Sequence, residues 1–423
     1  MTRRLLIVHY TPPGVIGGVE LIIHQHIQIL KARGFEIDVV AGRPGNDDAP
    51  LHVLPELDTA AGLGQQVEAE LARGLVGESY HAARRAIEAR LDPLIDAADS
   101  VITHNAYTLH FSLPLTSVLW ESGRRQAPGK MIAWCHDIAW TNPLYIPSMH
   151  DGPPWSLLRE PAPNTTYVTV SEERRQQLLG LWSNHTTPVG VIPNGIDVAA
   201  FLRLSAPARE IARRFDLLAC DLVLLLPVRI TRRKNIELAI RAVRALKDRG
   251  LRVRFLISGP QAPHHPGLSD RYLDRLKELR AELDVTGEVI FVADALGENL
   301  ESATVAELYT VADALFFPSS QEGFGLPILE AGLTRVPVVL SDIPVFREVG
   351  GADVVMFELD DSPDTIADRL LAALDTPASR LYRRVLREFR WDAIVDRQIM
   401  PLLGHPEAPH ELESRAATAP KVS

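Results

Sequence analysis

Short, unbroken apolar runs alternate along this chain with longer stretches in which apolar residues recur every three or four positions. In the first half the runs are Leu5–Tyr10, Phe35–Val40, Val101–His104, Met131–His136 and Tyr167–Ser171. Leu222–Val228, Val253–Gly259, Val289–Val292, Ala314–Phe317 and Val338–Ser341 repeat the pattern in the second half. Apolar residues at consecutive positions, rather than alternate ones, predict strands covered on both faces, as in a parallel sheet under helices. Between the runs, Val19–Arg33 reads as a helix closed by Gly34. Ile236, Ala239, Ile240, Val243 and Leu246 recur at helical spacing and predict a helix packed on a sheet. Phe389–Leu403 reads as a last helix. Residues 405–423 are polar and non-periodic, which predicts a disordered tail. The alternation of strand and helix signals places the chain in the α/β class, and it contains no internal repeat.

A chain of 423 residues exceeds one ordinary core and predicts two domains. Its 46% apolar and 23% charged residues describe a soluble globular enzyme. No apolar stretch is long enough to span a bilayer, and Met1–Arg4 opens no cleavable signal. Two cysteines, Cys135 and Cys220, give no disulfide framework, so the expected setting is a reducing cytoplasm. The net charge of −10 argues against a general nucleic-acid binder. Arg84, Arg85 and Arg90, and Arg124, Arg125 and Lys130, form short basic clusters interleaved with Glu88 and Glu121. They read as solvated helix faces and loops rather than as a membrane-docking surface.

Candidate chemistry concentrates in Phe317–Ala331, where Glu322 and Glu330 flank Gly323-Phe324-Gly325-Leu326-Pro327. Pro327 suits the first position of a helix, where its missing N–H costs nothing. Gly323 and Gly325 permit unusual backbone angles and a close ligand approach. The amides of Phe324, Gly325 and Leu326 can then face a phosphate at the positive helix end. Glu330, placed in the first turn, is positioned to accept from ribose hydroxyls, and Glu322 lies nearer the group that the phosphate carries. Arg229 and Lys234 bracket a loop at the carboxyl end of the Leu222–Val228 strand, where ligands bind in open α/β sheets. Two cations there would neutralise a leaving diphosphate, with Arg232 and Arg233 a solvated basic turn. Gly17-Gly18 opens the first helix, with Glu20 at its head, without the spacing of a dinucleotide fingerprint. His24 and His26 do not share a helix face, and Cys135 and His136 point to opposite faces of a strand. No Asp-any-Asp triplet occurs, so no metal site is expected and side-chain cations would carry the leaving-group charge.

These segments together resemble the family-4 retaining glycosyltransferases of GT-B architecture. The resemblance rests on Glu322 and Glu330 with seven residues between, on Arg229 and Lys234, on Gly17-Gly18, and on Pro193-Asn194-Gly195-Ile196-Asp197. It implies two facing Rossmann-like domains with an interdomain cleft. Residues 1–197 would form the acceptor side and 198–388 the donor side, and a helix at 389–404 would cross back. It implies metal-independent transfer of a mannosyl or glucosyl group with retention, the diphosphate itself taking the acceptor proton. GDP-mannose or UDP-glucose would be the donor, without a further cofactor, and a sugar, polyol or glycoconjugate the acceptor. Gly17 and Gly18 would approach the donor phosphates, and His136 would lie near the donor sugar, although a strand-end histidine is often only structural. Trp134, Trp140, Tyr145 and Trp155, around Pro147, Pro153 and Pro154, suit stacking on sugar rings and packing of a long loop equally. Gly259–Gly267 is longer than the Gly-any-Gly turn expected after its strand, which leaves any ligand contact there open. A sugar-nucleotide epimerase of the same fold and a catalytically silent sugar-nucleotide-binding protein are the alternatives; the first would epimerise a donor without acceptor, and the second would not hydrolyse it.

Overall fold

Consecutive burial along the apolar runs has the predicted result: every strand pairing is parallel. The computed structural model describes residues 3–15, 17–45, 49–182, 186–260 and 266–404. The chain divides into two compact units, residues 1–195 with 391–423, and residues 196–390. The first unit holds β1 (Arg3–Val8), β2 (Phe35–Ala41), β3 (Leu51–Val53), β4 (Ser100–His104), β5 (Met131–Cys135), β6 (Thr165–Thr169) and β7 (Val189–Val191). Their order across the sheet is β3-β2-β1-β4-β5-β6-β7. The second unit holds β8 (Leu222–Leu226), β9 (Val253–Ile257), β10 (Val289–Phe291), β11 (Ala314–Phe317), β12 (Val338–Ser341) and β13 (Val355–Phe357), ordered β10-β9-β8-β11-β12-β13. Both are Rossmann-like sheets whose strand order reverses once, at β1/β4 and at β8/β11. In open sheets of this kind, the loops leaving the carboxyl ends of the strands at the reversal are where ligands bind.

Three edge strands were not among the expected runs: β3, β7 and β13 have three residues each, too short to stand out as an apolar run. Val292, expected to end a strand, instead begins a short helix, Val292–Leu296. The helix expected at Phe389–Leu403 is broken. A helix spans Pro377–Glu388, and Ile196 then donates to the Phe389 carbonyl at 2.7 Å. Beyond this bridge come a helical turn Trp391–Ile394, a π turn Val395–Ile399 and a final turn Met400–Gly404. Pro401, without an N–H to return to the preceding turn, is the second residue of the final turn, with Met400 between it and the π segment. The region expected to be a disordered tail lies outside the described residues.

This returning segment belongs to the core of the first unit. Trp391 is buried over Gly195, where a Cβ would stand 2.6 Å from the indole, so the close packing requires glycine. Trp391 Nε1 donates to Gln25 Oε1, and Arg33 Nε reaches Asp396 at 2.6 Å. Both partners come from the first helix and its end (α1, Gly18–Lys31). His26 on α1 is fully buried, its ring 4.9 Å from Trp134, 5.0 Å from Trp391 and 5.6 Å from His104. Neither ring nitrogen has a hydrogen-bond partner. Burial without a counter-charge disfavours the imidazolium and drives the His26 pKa down to about 3.

Among the described residues no helix is long and apolar enough to cross a membrane. The basic clusters are largely paired locally: Arg85 with Glu78, Arg90 with Glu56, Arg124 with Glu121, and Arg125 with Asp92 and Glu88.

The depressed His26 pKa has a consequence for stability. Below pH 6.5 the unfolded chain takes up a proton that the folded chain refuses, so stability falls with falling pH. By pH 5 the loss from this one residue amounts to about 2 kcal/mol. His104 and His136 shift in the same direction and add to it. Urea unfolding at pH 7 and pH 5 is expected to show this loss in the wild type, and a difference smaller by about 2 kcal/mol in His26→Phe. An unchanged pH difference in the variant refutes the assignment.

Candidate functional site

In the second unit the loops after β8 and β11 meet at the point where the strand order reverses. After β8 the chain makes a 3-10 turn, Arg232–Lys234, and passes through Asn235 at φ 50° into the helix Ile236–Asp248. Asparagine is among the few side chains that tolerate this left-handed geometry. Lys234 is thereby turned inward and is 6% exposed. Its Nζ forms an ion pair with Glu322 Oε1 from the β11 loop, both side chains being 7% exposed. Ser319 Oγ donates to the same oxygen at 2.8 Å, and Arg233 Nη1 reaches Oε2 at 3.3 Å. The two loops are also joined by Ser320 N donating to the Arg233 carbonyl at 2.8 Å. Ser341 Oγ, from the end of β12, donates to the Ser319 carbonyl. The Lys234 ammonium lies 5.1 Å from the centre of the Phe317 ring. Burial lowers the Lys234 pKa, and the bond and charge of Glu322 oppose that shift. Arg233, expected to be solvated, is half-exposed and also reaches Glu322.

Arg229 is exposed and its guanidinium has no partner among the described residues. Its loop is nevertheless fixed. Ile230 N donates to the Pro260 carbonyl at 3.0 Å, and a Cβ on Gly259 would lie 2.1 Å from the Val228 carbonyl oxygen. Gly259 thus permits the β9 loop to press against the β8 loop. The rest of the long segment after it, residues 261–265, lies outside the described residues.

The helix after the second loop runs from Leu326 to Thr334, with Gly325 as its cap at φ 98°. A side chain there would be strained and would also crowd Phe346 at 3.0 Å. Gly323 differs from expectation: its φ is not positive, and a Cβ there would meet nothing within 4 Å. Its use is open space rather than conformation. Pro327 occupies the second helical position, and Glu330 lies one turn further in than the first turn expected for it. Tyr309 Oη donates to Glu330 Oε2 at 2.6 Å. Burial, and then the Glu330 carboxylate, raise the Tyr309 pKa, so the phenol keeps its proton. No described residue accepts from the amides of Phe324, Gly325 or Leu326, and the side chains of Phe324 and Leu326 are exposed.

In the first unit three histidines stand at the carboxyl ends of adjacent strands: His9 after β1, His104 closing β4, and His136 after β5. His9 Nδ1 donates to the His104 carbonyl at 3.0 Å, and Nε2 lies 3.7 Å from Glu20 Oε1. The nearby His9 ring leads the causes that hold the Glu20 carboxyl below the usual range. The Glu20 carboxylate folds over Gly17, where a Cβ would sit 2.0 Å from Oε2. Gly17 is needed for that approach, whereas Gly18 has nothing near its Cβ position. His104 Nδ1 and His136 Nε2 are 3.0 Å apart in a hydrogen bond between stacked rings. The amides of His136 and Asp137 both donate to Asn105 Oδ1, at 2.7 and 3.1 Å. Burial brings the His136 pKa down to about 3, so the ring is neutral near pH 7.

Trp134 and Trp155 are buried, 0% and 2% exposed, which settles them as packing residues. Trp140 Nε1 donates to the Trp155 carbonyl and its ring carries Arg159 at 4.8 Å. Tyr145 packs on His110 and Phe111. Of the residues expected at a site, the structure joins Lys234 to Glu322, sets Glu330 on Tyr309, and places His136 with His104. Ser319, Ser341, Tyr309, His9, His104 and Asn105 went unnoticed in the sequence. The common position of the three histidines, each at a strand end, is the signal that could have found that group.

Residues 211–387 match the family model of the glycosyl transferases group 1, a span inside the second unit. The chain is 27% identical over 266 residues to a mannosylglucosylglycerate synthase of Petrotoga mobilis. That match covers 59% of this chain and 61% of the relative, less than two thirds of the relative's own length. Similarity to a D-inositol 3-phosphate glycosyltransferase of Kineococcus radiotolerans is 26% identity, covering 89% of this chain and 88% of that one. A solved sucrose-phosphate synthase from Thermosynechococcus elongatus aligns over 98% of this chain and all of its own, at 17% identity and a TM-score of 0.36.

Breaking the buried pair from one side leaves a desolvated charge, at a cost of about 3–5 kcal/mol. Glu322→Gln and Lys234→Met are each expected to destabilise the second unit on that scale in urea unfolding. The double variant should lose clearly less than the sum, since neither charge is then left alone. Additive losses would show that the pair is not coupled.

Proposed function

We propose that the chain is a retaining hexosyltransferase that moves a mannosyl or glucosyl group from a nucleoside diphosphate sugar to a hydroxyl acceptor without a metal ion. The observation that carries this reading is the charge arrangement at the β8/β11 reversal. Arg229, Arg233 and Lys234 supply three cations and Glu322 one carboxylate, within the span that matches the family model. The surplus of two positive charges suits a diphosphate. Three unengaged amides at the start of the Leu326–Thr334 helix add to it.

In this reading Glu322 acts first on Lys234, holding the ammonium in place before the donor arrives. Preset charges of this kind stabilise a leaving group without reorganising during the reaction. Arg229, unpaired and exposed, takes the outer phosphate oxygens. Tyr309 occupies one oxygen of Glu330, and the other is left for the ribose hydroxyls. The acceptor oxygen attacks the anomeric carbon from the face that the diphosphate leaves. As that bond forms, the bond from carbon to the phosphate oxygen breaks, and the acceptor proton passes to the departing diphosphate. Gly17, Gly18 and His136 are the groups of the first unit assigned to the donor phosphates and sugar. GDP-mannose and UDP-glucose are the candidate donors. A small sugar or polyol acceptor, such as the D-inositol 3-phosphate of one relative's name, is the candidate partner.

Transfer is expected to survive excess EDTA and to give an α-linked product from an α-configured donor, read from the anomeric proton by NMR. Loss of activity restored by Mg²⁺, or a β-linked product, overturns the mechanism.

Arg229→Ala removes an unpartnered side chain, so the fold should be unaffected. Turnover should fall on the order of 100- to 1,000-fold as leaving-group charge goes unmet. Glu330→Ala and Tyr309→Phe should instead raise the donor KM with little change in kcat, because the ribose contact exists before and during reaction. A kcat collapse in Glu330→Ala at saturating donor would reverse these roles.

A further inference from the structure

We propose that His104 is a positioning residue that fixes His136 in one tautomer, with the proton on Nδ1, so that His136 presents a neutral N–H donor to the sugar. The inference rests on the proposed role of His136 and extends it to a residue with no direct access to substrate.

The geometry leaves two ways to place the protons. The hydrogen bond between His104 Nδ1 and His136 Nε2, 3.0 Å long, needs one donor and one acceptor. If His136 donates from Nε2, then His104, neutral with Nδ1 accepting, must carry its own proton on Nε2. That nitrogen is buried and has no partner. It lies in a ring packed against His26 and Trp134, at centroid distances of 5.6 and 6.1 Å. An orphaned N–H in such a place is the rarer and costlier arrangement. If His104 donates from Nδ1, its Nε2 is left as a bare lone pair and the buried N–H finds a partner. His136 then accepts at Nε2 and must hold its own proton on Nδ1. Nδ1 of His136 is not among the buried, unpartnered nitrogens, and no described residue bonds to it. It forms the outward edge of the ring.

Other contacts reinforce this placement. The His104 carbonyl is held by His9 Nδ1, and the His136 amide is held by Asn105. Both rings are thus anchored through the backbone as well as through each other. The consequence for the reaction is specific. His136 donates one hydrogen bond to a hydroxyl of the sugar and does not serve as the base that takes the acceptor proton. That proton is left to the diphosphate, as in the mechanism above.

The test uses the full-length protein labelled with ¹⁵N-histidine. Two-bond ¹H–¹⁵N correlation at pH 7.5 distinguishes the tautomers of the His136 ring, assigned by its loss in His136→Gln. The expected result is a protonated Nδ1 in the wild type. A protonated Nε2 overturns the proposal whatever the activity. In His104→Phe the ring should become a mixture of tautomers, and kcat/KM for the donor sugar should fall on the order of tenfold, the worth of one lost positioned hydrogen bond. His104→Asn, whose amide can donate from close to the Nδ1 position, should restore the single tautomer and most of the rate. A His136 signal unchanged in His104→Phe overturns the positioning role. Absence of any sugar transfer in the wild type, with the tautomer as expected, would instead count against the proposed function and leave the ring assignment standing.

Discussion

The buried pair between Lys234 and Glu322 is the constraint on which the second unit's site depends. A lysine 6% exposed is tolerable only with a partner, because burial alone disfavours its charge. The partner comes from a loop 88 residues away in sequence. Its supply requires β8 and β11 to be neighbours, in the register that pairs Leu224 with Ala314 and Leu225 with Leu315. The topology reversal, the 3-10 turn, the left-handed Asn235 and the serines at the ends of β11 and β12 all serve to bring these charges together. The pair in turn ties together the two loops at the reversal. Electrostatics and topology here enforce one another.

The first unit meets the same problem at the equivalent place and answers it differently. Three strand-end imidazoles are packed together, and two of them, His104 and His136, escape the cost of burial by staying neutral. His136 is held to a pKa of about 3 by burial and has no counter-charge in contact. Glu20 keeps its charge by staying at the edge of the group, where it faces His9. One sheet therefore offers fixed positive charge at its reversal, and the other offers neutral, directional hydrogen-bonding groups.

How much was legible in the sequence follows from how local each feature is. Continuous apolar runs such as Leu222–Leu226 and Met131–Cys135 declare a doubly covered strand on their own. β3 and β13 do not, since their existence depends on a neighbour at the sheet edge rather than on their own burial. The acidic pair Glu322 and Glu330, and the cations Arg229 and Lys234, stood out because residue type and spacing carried them. Their partners did not stand out. Ser319, Tyr309 and His104 are unremarkable residues whose importance arises from contacts with distant segments. The placing of Glu330 failed for a different reason: the helix begins at Leu326, with Gly325 as cap, and that capping geometry is visible only once φ is known.

The glycines make the same distinction. Gly325 is required by its backbone angle, a property partly readable from its place before a proline-containing helix start. Gly195 and Gly259 are required because an indole and a carbonyl oxygen come close, and Gly17 makes room for the Glu20 carboxylate in the position it takes. In each case the neighbour belongs to a different element, or to a side chain that folds back, so the sequence around the glycine gives no warning. Two of these three close approaches stand beside the candidate sites. Gly17 lets Glu20 lie over the helix start next to His9, and Gly259 presses the β9 loop onto the backbone that carries Arg229. A larger residue at Gly259 would displace the Val228–Arg229 peptide, and so would move the backbone that carries Arg229, whose guanidinium has no partner among the described residues.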